Sequence, residues 1–168
     1  NRIFEWIISE QYDCGITDVF SDHPAVECQR IPMKTVCIMS EGNTLGKKKF
    51  ITPEDLINEP MIHSRRDSAF YRKLEEVFTL HNVKINSWIE TRQFNSACML
   101  VAEGRGVSIV SEMDAREYES RGLIIKPFRP VIPHTLMLVR PKQTALSTIA
   151  LEFLDFFESS LEPFRLKS

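Results

Sequence analysis

The chain has 168 residues, enough for one domain or two small lobes with a real core. Its hydrophobic content of 43% and charged content of 26% are ordinary globular values. A formal net charge of −2 gives no global electrostatic case for nucleic-acid binding, and no apolar run approaches a membrane-spanning or secretory length.

Ile3, Phe4, Ile7 and Ile8 follow helical spacing, so the chain opens inside a helix over 1–11 and, starting on Asn1, reads as a piece of something longer. "CGITDVF" is a short apolar strand ending in polar Thr17 and Asp18, and "AVECQRI" and "KTVCIMS" are two more strands joined near Pro32. A lysine-rich loop leads to "TPEDLI", where Thr52, Pro53 and the acidic pair Glu54-Asp55 mark a helix start. The strand "PMIHS" follows, then an amphipathic helix over 65–82 capped by Asp67 or Ser68.

"VKINSWIE" is a strand of imperfect alternation, and "NSACMLVAE" a helix capped by Asn95 or Ser96 and stopped by Gly104. "VSIV" is a strand, and 111–122 a helix capped by Ser111 and stopped by Gly122. "LIIKPF" and "HTLMLVR" are strands on either side of a proline-rich turn. The chain closes on a helix over 146–162, with Ile149, Phe153, Phe156 and Phe157 assigned to its buried side. Alternation of β and α predicts a mostly parallel sheet covered by helices.

In such sheets ligands bind beyond the carboxyl ends of strands, where helices begin. Polar residues stand in rows at those places: Thr17 and Asp18, then His63 to Ser68, then Thr91 to Ser96 with the aromatic Phe94 among them, then Ser111. Helix N-termini offer unpaired N–H groups to a carboxylate, and Asp18 offers a carboxylate to an ammonium, which together suit a zwitterion such as an amino acid. Ser68, Asn95 and Ser111 are equally explained as caps, and capping does not exclude binding.

Enzyme motifs are absent. In "EGRGVS" no Lys-Ser/Thr follows, and the glycines close a helix instead of opening one, so neither a P-loop nor a dinucleotide fingerprint fits. The four cysteines, Cys14, Cys28, Cys37 and Cys98, form no C-x-x-C pair and have no histidine at metal spacing, so no metal and no cofactor are expected. They read as reduced thiols of a cytoplasmic protein.

"FEWIISEQYDCGITD", "LINEPMIHSRRDS", "IETRQFNSACMLVAEGRGVSIV" and "GLIIKPF", in that order and spacing, resemble the effector-binding domain of LysR-type transcriptional regulators over essentially the whole chain. Within that family the likeness is greatest to members that respond to diaminopimelate and to opines. The resemblance implies a type II periplasmic-binding-protein-like α/β fold of two Rossmann-like lobes joined by two crossing strands, "KTVCIMS" and "HTLMLVR". Lobe I with the first crossing would then occupy 1–40, lobe II 41–133, and the second crossing with the return to lobe I 134–168. Lobe I would be incomplete, because the family's opening strand, helix and strand do not occur in this sequence.

The resemblance further implies a non-enzymatic sensor of a small amino-acid-like effector (diaminopimelate, lysine or an opine) bound in the interlobe cleft. It implies a homodimer or homotetramer, DNA contact only through a winged helix-turn-helix outside this sequence, and no membrane partner. Carried over residue by residue, the cleft positions are Thr17, Asp18, His63, Ser64, Arg65, Ser68, Gln93, Phe94, Asn95, Ser96 and Ser111. Near relatives have smaller residues where Gln93 and Phe94 stand, and Asn where Ser111 stands. The alternative reading is a stand-alone solute-binding protein of a transporter.

Overall fold

The computed structural model describes residues 2–167; Asn1 and Ser168, counted in the first and last expected segments, lie outside them. In chain order the elements are α1 (Arg2–Ile8), β1 (Gly15–Thr17), β2 (Val26–Met33), β3 (Thr35–Ser40), β4 (Met61–Ser64), α2 (Ala69–Leu80), β5 (Ser87–Thr91), α3 (Phe94–Ala102), β6 (Val107–Ser111), α4 (Glu112–Arg116), β7 (Leu123–Pro127), β8 (His134–Pro141) and α5 (Thr148–Leu161). They fall into two compact units, one formed by 1–33 with 135–168, the other by 34–134. In the second unit β3 is hydrogen bonded on both sides.

The first unit carries a three-stranded sheet in the order β1-β8-β2, with β1 antiparallel to β8. Phe4 and Ile7, one turn apart on α1, bury against Val26, Met137 and Val139. On α5 the inner face is Ala150, Leu154 and Leu161. Ile149 and Phe156, assigned to the buried side from spacing, are 80% and 75% exposed, and Phe153 is exposed too. This helix has two apolar stripes, and periodicity alone does not say which one meets the sheet.

The second unit is a five-stranded sheet in the order β5-β4-β6-β3-β7. β4 is parallel to β5 and to β6, while β3 is antiparallel to β6 and to β7. Four strands therefore run one way and β3 alone is reversed, which is the mostly parallel sheet expected. Strand alternation sorts the core into two layers. Cys37, Met39, Met61 and Ile109 face Phe70, Leu74 and Phe78 of α2. Val36, Ile38, Ile62 and Val110 face Ala97, Cys98 and Val101 of α3.

Both helices stop in the same way. At the end of α3 the Gly104 N–H donates to Val101 O (2.9 Å) and the Arg105 N–H to Leu100 O (3.0 Å), with Gly104 at φ +73°. At the end of α2 the Asn82 N–H donates to Thr79 O and the Val83 N–H to Phe78 O (both 2.9 Å), with Asn82 at φ +55°. These are paired 5→2 and 6→1 bonds around a left-handed residue. The second glycine of "EGRGVS" has a separate task. A Cβ on Gly106 would lie 2.2 Å from the Pro60 carbonyl oxygen, which accepts from Val107 N–H (3.0 Å). The helix expected over 111–122 is instead α4 followed by a 3-10 turn, Glu119–Arg121, because Tyr118 N–H turns back to Ala115 O (3.0 Å).

Candidate functional site

β5, β4 and β6 are neighbours and parallel, so their carboxyl ends emerge along one edge of the sheet. Each runs into a helix: β4 into α2, β5 into α3, β6 into α4. That edge gathers nine of the eleven expected site residues. The other two, Thr17 and Asp18, belong to the first unit. Thr17 is buried, its Oγ1 accepting from Val19 N–H (3.2 Å), and Asp18 is exposed.

The first turn of α2 is served by its own hydroxyls. Ser68 stands at the N-cap with extended backbone, and its Oγ accepts from Tyr71 N–H (3.0 Å). Ser64 Oγ lies 3.2 Å from Ser68 Oγ, so the last residue of β4 is tied to the cap. Arg65 turns away from this point and pairs with Asp67.

The first turn of α3 is different. The helix begins at Phe94, after Gln93, and not at Asn95 or Ser96 as the sequence suggested. Gln93 has the extended backbone of an N-cap but makes no side-chain capping bond. Asn95 and Ser96 sit inside the first turn with exposed side chains, and neither caps the helix. The shift goes with a tertiary contact. Phe94 packs its ring edge-on against Phe70 (centroids 5.3 Å apart) and against His134 (5.0 Å), and Phe70 meets His134 at 5.8 Å. This contact holds the residue after Gln93 in helical position. First-turn N–H groups have no intrahelical acceptor, and here no capping side chain supplies one.

Ser111 is buried at the end of β6 and occupies the N-cap position of α4, without bonding the helix backbone. Its hydroxyl bonds the Asp114 carboxyl instead; burial still raises that carboxyl above its ordinary value. His63 is also buried, with both ring nitrogens engaged: Nδ1 lies 2.8 Å from Ser64 O and Nε2 2.7 Å from Ser87 Oγ. The carbonyl can only accept, so Nδ1 carries a proton. His63 thus supports the β4 end from within and is not turned outward to a ligand.

Sequence reasoning missed Phe70 and His134 as neighbours of the site. Phe70 reads as an ordinary core position of an amphipathic helix, and nothing local marks His134; only the fold brings 70, 94 and 134 together. Among the described residues no group of three or more His, Cys, Asp or Glu is placed to hold a metal ion, and no helix is long and apolar enough to cross a membrane.

The sequence profile of the LysR substrate binding domain matches residues 1–162. The chain belongs to the LysR substrate-binding domain family. It is 29% identical over 158 residues to the transcriptional activator protein LysR of Escherichia coli (strain K12), covering 94% of this chain and 51% of that protein. It is 27% identical over 152 residues to the regulatory protein NocR of Agrobacterium tumefaciens (strain T37), covering 90% of this chain and 51% of that one. The chain therefore spans about half the length of the curated relatives it matches.

Among solved structures, the effector-binding domain of QuiR in complex with shikimate superposes with a TM-score of 0.73 at 18% identity, over 98% of this chain and 79% of that one. The fold is the type II periplasmic-binding-protein-like fold of LysR effector-binding domains. The relatives are transcriptional regulators and not enzymes, and they do not favour a transporter's solute-binding protein.

Proposed function

We propose that this LysR substrate-binding domain is the sensing part of a DNA-binding transcription regulator, and that its effector is a small amino-acid-like molecule: diaminopimelate, lysine or an opine. The effector's carboxylate takes the first turn of α3, where the N–H groups and the Ser96 hydroxyl lie at the positive end of the helix dipole. Phe94 and Phe70 supply an apolar wall beside it. Effector binding shifts the population between conformations and so changes the geometry of a homodimer or homotetramer, which alters how attached DNA-binding domains meet their sites. The protein senses and does not turn over its ligand.

One observation carries this reading: α3 starts without a capping side chain, next to α2, whose start is capped, at one end of three parallel strands. The amino-acid class, like Thr17 and Asp18, enters through the resemblance of the sequence to effector-binding domains that respond to diaminopimelate and opines. Isothermal titration of the chain against diaminopimelate, lysine and opines tests it. Saturable heat with at least one of them is expected; no heat and no thermal shift with any would reject the effector class.

A further inference from the structure

A concavity of the second unit has no α3 residue in its lining. It is a groove of about 850 Å³ between the Ile57-Asn58 turn, the flank of α2 and the segment 83–87 that leads into β5. That volume is in the range of small-molecule sites. Tyr71, Phe78 and Val83 lie buried beneath it, and most of the surface it offers is polar. Its walls carry both signs of charge, Arg66 and Lys84 against Glu75. Glu75 and Lys84 make no ion pair or hydrogen bond among the described residues, and Arg66 is only loosely held, 3.2 Å from Ser87 Oγ and 3.9 Å from Glu90. Arg66, Tyr71 and Glu75 all line the groove.

We propose that this groove is a second ligand site, for a small zwitterion. The carboxylate pairs with Arg66 and Ser87, and the ammonium with Glu75. The site is distinct from the one at the start of α3 and does not depend on it.

The groove is also wired to that helix edge. Arg66 donates to Ser87 Oγ, and the same hydroxyl lies 2.7 Å from His63 Nε2. His63 Nδ1–H donates to Ser64 O, in the turn that opens α2. A carboxylate that bonds the Ser87 hydroxyl competes with buried His63 Nε2 for it. A buried unpaired polar atom is costly, so the ring must respond, and Ser64 with it.

The test uses L-leucine as probe on the full chain, read by calorimetry and by the ¹⁵N resonances of the His63 ring. Leucine binds, and Arg66→Ala and Glu75→Gln each weaken it about tenfold, the loss of one charge-assisted contact. In the unmutated chain leucine shifts the His63 ¹⁵N signals, while isobutylamine, which has no carboxylate, does not. Absence of leucine binding, indifference to both groove variants, or a His63 signal that stays still would each overturn the proposal. The spectroscopic arm needs no variant and holds even where one fails to fold.

Discussion

α2 and α3 leave adjacent parallel strands at the same edge of one sheet, yet their first turns are finished differently. α2 has Ser68 as a capping acceptor, with Ser64 behind it. α3 has Gln93 at the equivalent place and no capping acceptor, while Phe94 pins the turn by its ring contacts. One helix start is satisfied by the protein itself and the other is anchored by packing, which leaves its polar groups to something else. A capped start contributes stability; an uncapped one gives up stability and keeps donors for a ligand. Variants that exchange these two roles should separate stability from binding.

The largest effect is expected from Phe94→Ala. Truncating a buried phenylalanine costs ~3–5 kcal/mol, and for this half-buried ring about 2 kcal/mol is expected, read as a lower urea midpoint. Effector affinity should fall with it, since the α3 turn loses its anchor. A variant as stable as the parent would mean the aromatic contact does not position the turn. Next comes Ser68→Ala, which should cost about 1 kcal/mol by loss of the cap. Calorimetry should find its effector affinity changed by less than about twofold, which corresponds to well under 1 kcal/mol; a larger drop would make α2 part of the site and blur the contrast.

Much of this architecture was legible in the sequence because it rests on local chemistry. Gly104 at the end of α3, Ser68 at the start of α2 and the alternating strand patterns are short-range signals, and the structure uses them as read. The helix start at Phe94 was not legible. Asn95 and Ser96 are better caps than Gln93 by residue type, and the contact that overrides them joins residues 70, 94 and 134, which only the folded sheet brings together. His63 was misjudged for the same reason: its partner Ser87 lies on the neighbouring strand, so a strand-end histidine that looked available is occupied on both nitrogens. On α5 the failure was of another kind. Ala150 and Leu154 compete with Ile149 and Phe153 as apolar stripes, and the bulkier pair turned out to be exposed.

A smaller effect of opposite sign should follow from Gln93→Asp, which gives α3 the cap it lacks. A carboxylate there can accept from the first turn and meets the favourable end of the dipole, so a gain of roughly 0.5 kcal/mol in stability is expected. The same carboxylate occupies and repels the place proposed for the effector's carboxylate, so affinity should fall even as the midpoint rises. A rise in both would show that the first turn of α3 is not where the anion binds.

The smallest change in stability is expected for Ser96→Ala, and it discriminates most sharply. Ser96 is exposed, lies within the first turn and caps nothing, so its removal should move the unfolding free energy by no more than about 0.5 kcal/mol. A hydroxyl that donates to a bound carboxylate has a different balance. Its loss removes one hydrogen bond to a charged group, worth roughly 1.5 kcal/mol or more, or about a tenfold weaker Kd by calorimetry. Unchanged stability with weakened binding is the signature of a donor held in reserve. Unchanged stability with unchanged binding would leave the α3 turn merely uncapped, and the contrast with α2 would then concern stability alone.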